Sequence, residues 1–96
     1  MVKMEPSSGN IFADLGFDAE EAENLLLRSR LMLAIDEYIR EENITQSEAA
    51  GLLQVSQSRV SDIKRGKINR FTVDSLVAML SRLGKTIEIT IADKAA

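Results

Sequence analysis

The stretch T-Q-S-E-A-A-G-L-L-Q-V-S-Q-S-R-V-S-D-I-K-R-G-K, Thr45 to Lys67, constrains the fold more than any other part of the chain. It packs two helix starts and two helix stops into a short segment. Thr45-Gln46-Ser47-Glu48 fits the capping box S/T-x-x-E, in which Thr45 caps the helix and Glu48 reaches back. The helix that follows, Gln46 to Leu53, is short. Gln54-Val55-Ser56 forms a turn, Ser56 can cap the next helix from Gln57 to Arg65, and Gly66 stops that helix. Two helices joined so tightly must cross closely, and residue size follows from that. Ala49 and Ala50 supply small side chains at the approach, while Leu53, Val55, Val60 and Ile63 are spaced to lock the angle from inside. Gln57, Ser58, Arg59, Ser61 and Asp62 then project outward from the start of the second helix of the pair. A polar run on a short helix suits a major groove.

Net charge taken alone opposes that use, since the chain carries −3 overall and phosphate contacts dominate nucleic-acid affinity. Distribution resolves the conflict. Residues 1–45 hold ten acidic and four basic side chains. Residues 46–70 hold five basic ones (Arg59, Lys64, Arg65, Lys67, Arg70) against Glu48 and Asp62, and the remainder balances at three of each. The chain is acidic as a whole and basic at the motif.

Ninety-six residues with 45 % apolar side chains suit one domain with a single core of four or five helices. Cysteine and histidine are both absent. Disulfides, thiolate metal sites and the usual neutral-pH general base are therefore excluded, and no cofactor is implied. Catalysis would need a carboxylate pair or a Ser–Lys arrangement, and neither forms a clustered, glycine-rich setting. An enzyme is the least favoured class. No apolar run has the length of a membrane span and no signal peptide is evident, so the expected location is cytoplasmic.

Around the motif, residues 1–17 read as a flexible tail ending in the apolar cluster Ile11-Phe12-Ala13-Asp14-Leu15-Gly16-Phe17. Asp18 is placed to cap a first helix that runs to Glu41 or Glu42, with Glu20 and Glu21 favouring its positive end. Leu27, Leu31, Ala34, Ile35 and Tyr38 make one apolar stripe on it, and Leu25, Met32 and Ile39, with Leu26 and Leu33, make another. Such a helix is either central to the core or binds a second chain with its surplus face. A last helix is predicted from Val73 to Leu83, capped by Thr72 and stapled by Phe71 against Leu76. The domain so defined covers residues 18–84. Residues 85–96 then contain Thr86-Ile87-Glu88-Ile89-Thr90-Ile91, strict alternation that predicts a strand. A lone strand needs a partner. Either the same strand of a second subunit pairs with it through Ile87, Ile89 and Ile91, giving a two-fold dimer, or residues 67–73 form a hairpin with it.

The motif resembles the Cro/cI-type (XRE) family of lambda-repressor-like helix-turn-helix domains, over roughly Leu31 to Leu83. One position departs from that pattern. The family usually carries glycine in the turn where this chain has Gln54, which must then accept a left-handed backbone at about 1 kcal/mol. The resemblance implies an all-α, four- to five-helix bundle with a short terminal strand, acting as a sequence-specific DNA-binding repressor. It also implies that Gln57, Ser58, Ser61 and Asp62 face bases and that Arg59 reaches a base or a phosphate. By the same likeness Gln46 clamps phosphate, with Lys64, Arg65 and Lys67 adding phosphate contacts. The segments N-I-F-A-D-L-G-F and A-E-N-L-L-L-R-S-R-L-M, together with the motif and the terminal strand, are further similar to HigA-type antitoxins. That likeness implies binding to the protein's own operator and a RelE-like ribonuclease toxin as partner, with Ile11, Phe12, Leu15 and Phe17 as candidate contacts; the strand-paired homodimer would read a palindromic site. The alternatives are a stand-alone or phage-type repressor without a toxin, and a helical protein-interaction module that does not bind DNA.

Overall fold

The computed structural model describes residues 10–93. Five α-helices and one 3₁₀ turn appear in it: α1 (Ile11–Asp14), α2 (Ala19–Glu41), α3 (Gln46–Leu53), α4 (Gln57–Lys64), the 3₁₀ turn Ile68–Arg70, and α5 (Val73–Arg82). The expected caps set the helix starts. Asp18 accepts from the Glu21 N–H, Ser56 accepts from the Arg59 N–H, and Thr45 with Glu48 forms the reciprocal capping box. Thr72 makes a second such box with Ser75 in the place of the usual Glu. Each cap satisfies backbone donors that the first turn leaves without intrahelical partners.

One device ends all five helices. A residue one or two positions past each end donates its N–H three residues back, and the residue after it donates five back, as in Gln54 to Gly51 and Val55 to Ala50. This closure requires a left-handed residue. Gly16, Gly66 and Gly84 serve at α1, α4 and α5, whereas Asn43 (φ 53°) and Gln54 (φ 58°) serve at α2 and α3. Asparagine tolerates that region; glutamine has no such excuse. Gln54→Gly should therefore stabilise the fold by roughly 0.5–1 kcal/mol, relief of strain exceeding the added freedom of the unfolded chain. A urea titration reads this directly. An unchanged or lower midpoint would show that the turn already absorbs the side chain without strain.

The core lies where α2 crosses the other helices. Leu31, Met32, Ile35 and Ile39 of α2 meet Ala49, Ala50 and Leu53 of α3, Val60 and Ile63 of α4, and Leu76, Met79 and Leu80 of α5. Phe71 is buried in the same cluster as Leu76. Of the second stripe of α2, Leu25, Met32 and Ile39 are buried and Leu26 is half-buried. The first stripe is divided, with Leu31 and Ile35 inside and Ala34 exposed, and Leu33 also faces out. Most of the surplus apolar surface on α2 is therefore core.

Two sequence expectations need correction. Among the described residues no strand forms, and residues 85–93 have no ladder. A strand is defined by its partner, and the described residues offer none: residues 68–70, within the proposed hairpin arm, are wound into the 3₁₀ turn. Ile87 instead packs half-buried against the core, leaving Ile89 and Ile91 exposed. At the other end, residues 1–9 of the expected tail lie outside the described residues. Residues 10–17 are no tail: they make the short helix α1, whose cap Asn10 donates from its side chain to the Ala22 carbonyl of α2 (3.0 Å). Phe12 and Phe17 meet edge-to-face across its end, 6.3 Å between centroids.

Candidate nucleic-acid interface

The α3–turn–α4 unit is fixed by apolar packing and by a long-range hydrogen bond from α5. Leu53, the last residue of α3, is fully buried, and its carbonyl accepts from the Arg82 guanidinium of α5 (3.0 Å). Val60 and Ile63 turn the inner face of α4 into the core. At about 100° per residue, the face opposite them carries Ser58, Ser61, Asp62 and Arg65, with Gln57 and Lys64 on its flank. Gln57 and Ser58 are exposed at the open end of α4. Gln46 stands exposed in the first turn of α3.

The basic residues are organised by a set of contacts centred on the 3₁₀ turn. Arg59 does not extend from α4. Its guanidinium lies over the buried Phe71 ring at 4.2 Å and donates to the Arg70 carbonyl at 2.6 Å. Arg28, from α2, donates to the Ile68 and Phe71 carbonyls at 3.1 and 3.3 Å and is itself held by Asn24. Two arginines from different helices thus hold three carbonyls of one short turn. Arg70 in turn points one guanidinium nitrogen at both carboxylate oxygens of Asp62, at 3.3 and 3.4 Å. Lys64 reaches Asp36 of α2 at 3.4 Å. Arg65 and Lys67 are exposed on either side of Gly66.

The model of a helix-turn-helix domain family matches residues 11–92. A solved protein assigned to the XRE family of transcriptional regulators is similar with a TM-score of 0.70 and 31% identity, over 77% of this chain and 83% of that one. The chain belongs to the XRE helix-turn-helix family. No curated protein matches it. As an XRE-type protein it is a DNA-binding transcriptional regulator, and the fold expected from the motif is the fold observed. No helix among the described residues is long and apolar enough to cross a membrane.

Within this XRE domain the sequence-predicted residues fall into groups. Gln57, Ser58 and Ser61 share the outer side of α4, with Arg65, Lys67 and Lys64 around its C-terminal end. Asp62 lies on the same side with its carboxylate covered by Arg70, and Arg59 is turned away toward Phe71. Arg28 and Arg82 are not marked out by the sequence, and Arg70 enters there only as one of the basic residues around the motif. Arg28 follows directly on the apolar run Leu25-Leu26-Leu27 of α2, the one signal the sequence gives for it. Ile11, Leu15 and Phe17 are exposed at the α1 end, and Phe12 is half-buried.

Proposed function

We propose that this chain is a sequence-specific repressor that enters the major groove with α4 and reads an operator through Gln57, Ser58 and Ser61. The observation that carries the reading is the outer side of α4. It is polar, it is backed by the core, and it lies in the one basic region of an acidic chain. Gln57 has the paired donor and acceptor that match adenine, and Gln46, Lys64, Arg65 and Lys67 supply phosphate contacts around it. We further propose a homodimer on a palindromic site. The exposed Ile89 and Ile91 beside an unpaired alternating segment support strand pairing across a two-fold axis.

Selection of binding sites from random duplex DNA with the purified protein tests both statements. Two inverted half-sites about one helical turn apart are expected. A single asymmetric site would remove the strand-paired dimer, and no enriched sequence would remove the repressor.

The finer reading is an autorepressing antitoxin that neutralises a RelE-like ribonuclease. Its support is the likeness of the N-I-F-A-D-L-G-F segment and the exposed apolar side chains Ile11, Leu15 and Phe17 that this segment presents beside acidic residues. An acidic, apolar edge suits a basic nuclease. Co-purification with the product of an adjacent small gene is the expected result. A repressor that binds its operator but captures no such product is a stand-alone regulator.

A further inference from the structure

Arg59 is the residue that a sequence reading most readily sends to DNA, yet its contacts lead inward. We propose that Arg59 is a positioning residue and that Arg70, clamped by Asp62, is the guanidinium that meets a backbone phosphate beside α4. The inference rests on the reading of α4 as the groove-entering helix and adds to it the assignment of the flanking cation.

Three observations converge. First, the Arg59 guanidinium lies with one face over a buried ring and gives one terminal nitrogen to a backbone carbonyl, so both contacts direct it to the 3₁₀ turn. A side chain held in this way would have to give up a cation–π contact and a charge-assisted hydrogen bond before it could reach DNA. Second, the carbonyl it holds belongs to Arg70, so the contact fixes the backbone from which Arg70 projects. Arg28 pins the neighbouring carbonyls from the far side. Third, Arg70 covers an anion that would otherwise oppose binding. Asp62 lies at the edge of the outer side of α4, and its side chain is only 14% exposed while that of Arg70 is 60% exposed. One nitrogen of Arg70 faces the carboxylate, which leaves the other edge of the planar fork for an anion outside. The 3₁₀ turn flanks α4 rather than crowning it, and that position is one for a phosphate rather than a base edge.

The test is a double-mutant cycle on the duplex selected by the wild-type protein, with affinity measured at several salt concentrations. Arg70→Ala is expected to weaken binding on the order of tenfold, uniformly across base variants of the site, and to reduce the salt slope by about 1. Arg59→Ala should weaken binding less, and should add nothing in the Arg70→Ala background. Arg59→Lys should fail to restore affinity, because an ammonium cannot stack flat on Phe71 and reach the carbonyl together. Circular-dichroism melts establish which variants are folded. If Arg59→Ala melts below the assay temperature, Arg59→Lys takes its place in the cycle with the same expectation. Independent losses that multiply, with a slope reduced by about 2 in the double variant, would show Arg59 touching DNA itself. Loss of discrimination at a single base pair in Arg70→Ala would make Arg70 a base reader and overturn the phosphate assignment. A wild-type protein that selects no duplex would instead overturn the groove-entering reading, and this inference with it.

Discussion

Leu53→Ala is expected to cost about 2–5 kcal/mol of folding free energy, the range for truncating a fully buried leucine. The position is chosen by its connections. Leu53 is completely inaccessible, ends α3, and belongs to the cluster that joins α2, α3, α4 and α5. Removing its side chain opens a cavity that four separate helices would have to close, and helices pinned by caps and by Arg82 cannot all shift inward. A domain of this size has a total stability of roughly 5–15 kcal/mol, so the loss is a large fraction of it. The melting temperature should fall by roughly 10–30 °C. Leu52→Ala is the control, since its side chain is exposed and its truncation should stay within about 0.5 kcal/mol. Urea denaturation of both variants gives the comparison. Equal costs at the two positions would contradict the orientation of α3 and with it the placement of α4.

Capping and turn chemistry made the centre of the fold legible. Thr45, Glu48, Ser56 and Thr72 act locally, within a turn of their own position, so sequence spacing is enough to predict what they do. Gln54 illustrates the same point from the other side: its left-handed backbone follows from helix-end geometry even though glutamine is a poor choice for it. Arg59 shows where such reasoning stops. Its partners, Phe71 and the Arg70 carbonyl, are brought to it by the 3₁₀ turn, and a long side chain on an outward-leaning position reads the same whichever way it folds. The alternating segment Thr86 to Ile91 was legible as a pattern but not as a structure, because a ladder is a property of two strands. The short helix α1 fell below detection for a different reason. A single turn of helix shows no periodicity, and what holds it is the Asn10 side chain, both capping the turn and bridging to α2.

The largest functional effect should come from salt. Once Arg59 is assigned to the 3₁₀ turn, the cations around the outer side of α4 are Lys64, Arg65, Lys67 and Arg70. Four phosphate contacts predict a slope of about −3.6 in log affinity against log salt for each bound recognition unit, or on the order of 10²-fold weaker binding between 50 and 200 mM. A two-fold dimer doubles the slope, which makes the same titration report on assembly. The acidic α2 contributes in the opposite sense: Asp36 already holds Lys64 at 3.4 Å and competes with phosphate for it. Asp36→Asn should therefore tighten binding to any duplex by a few-fold at low salt and steepen the slope, without changing which sequence is preferred. A slope near zero would mean that the outer side of α4 meets something other than DNA. A steep slope with no preference among sequences would leave the cations in place but take the base-reading role away from Gln57, Ser58 and Ser61.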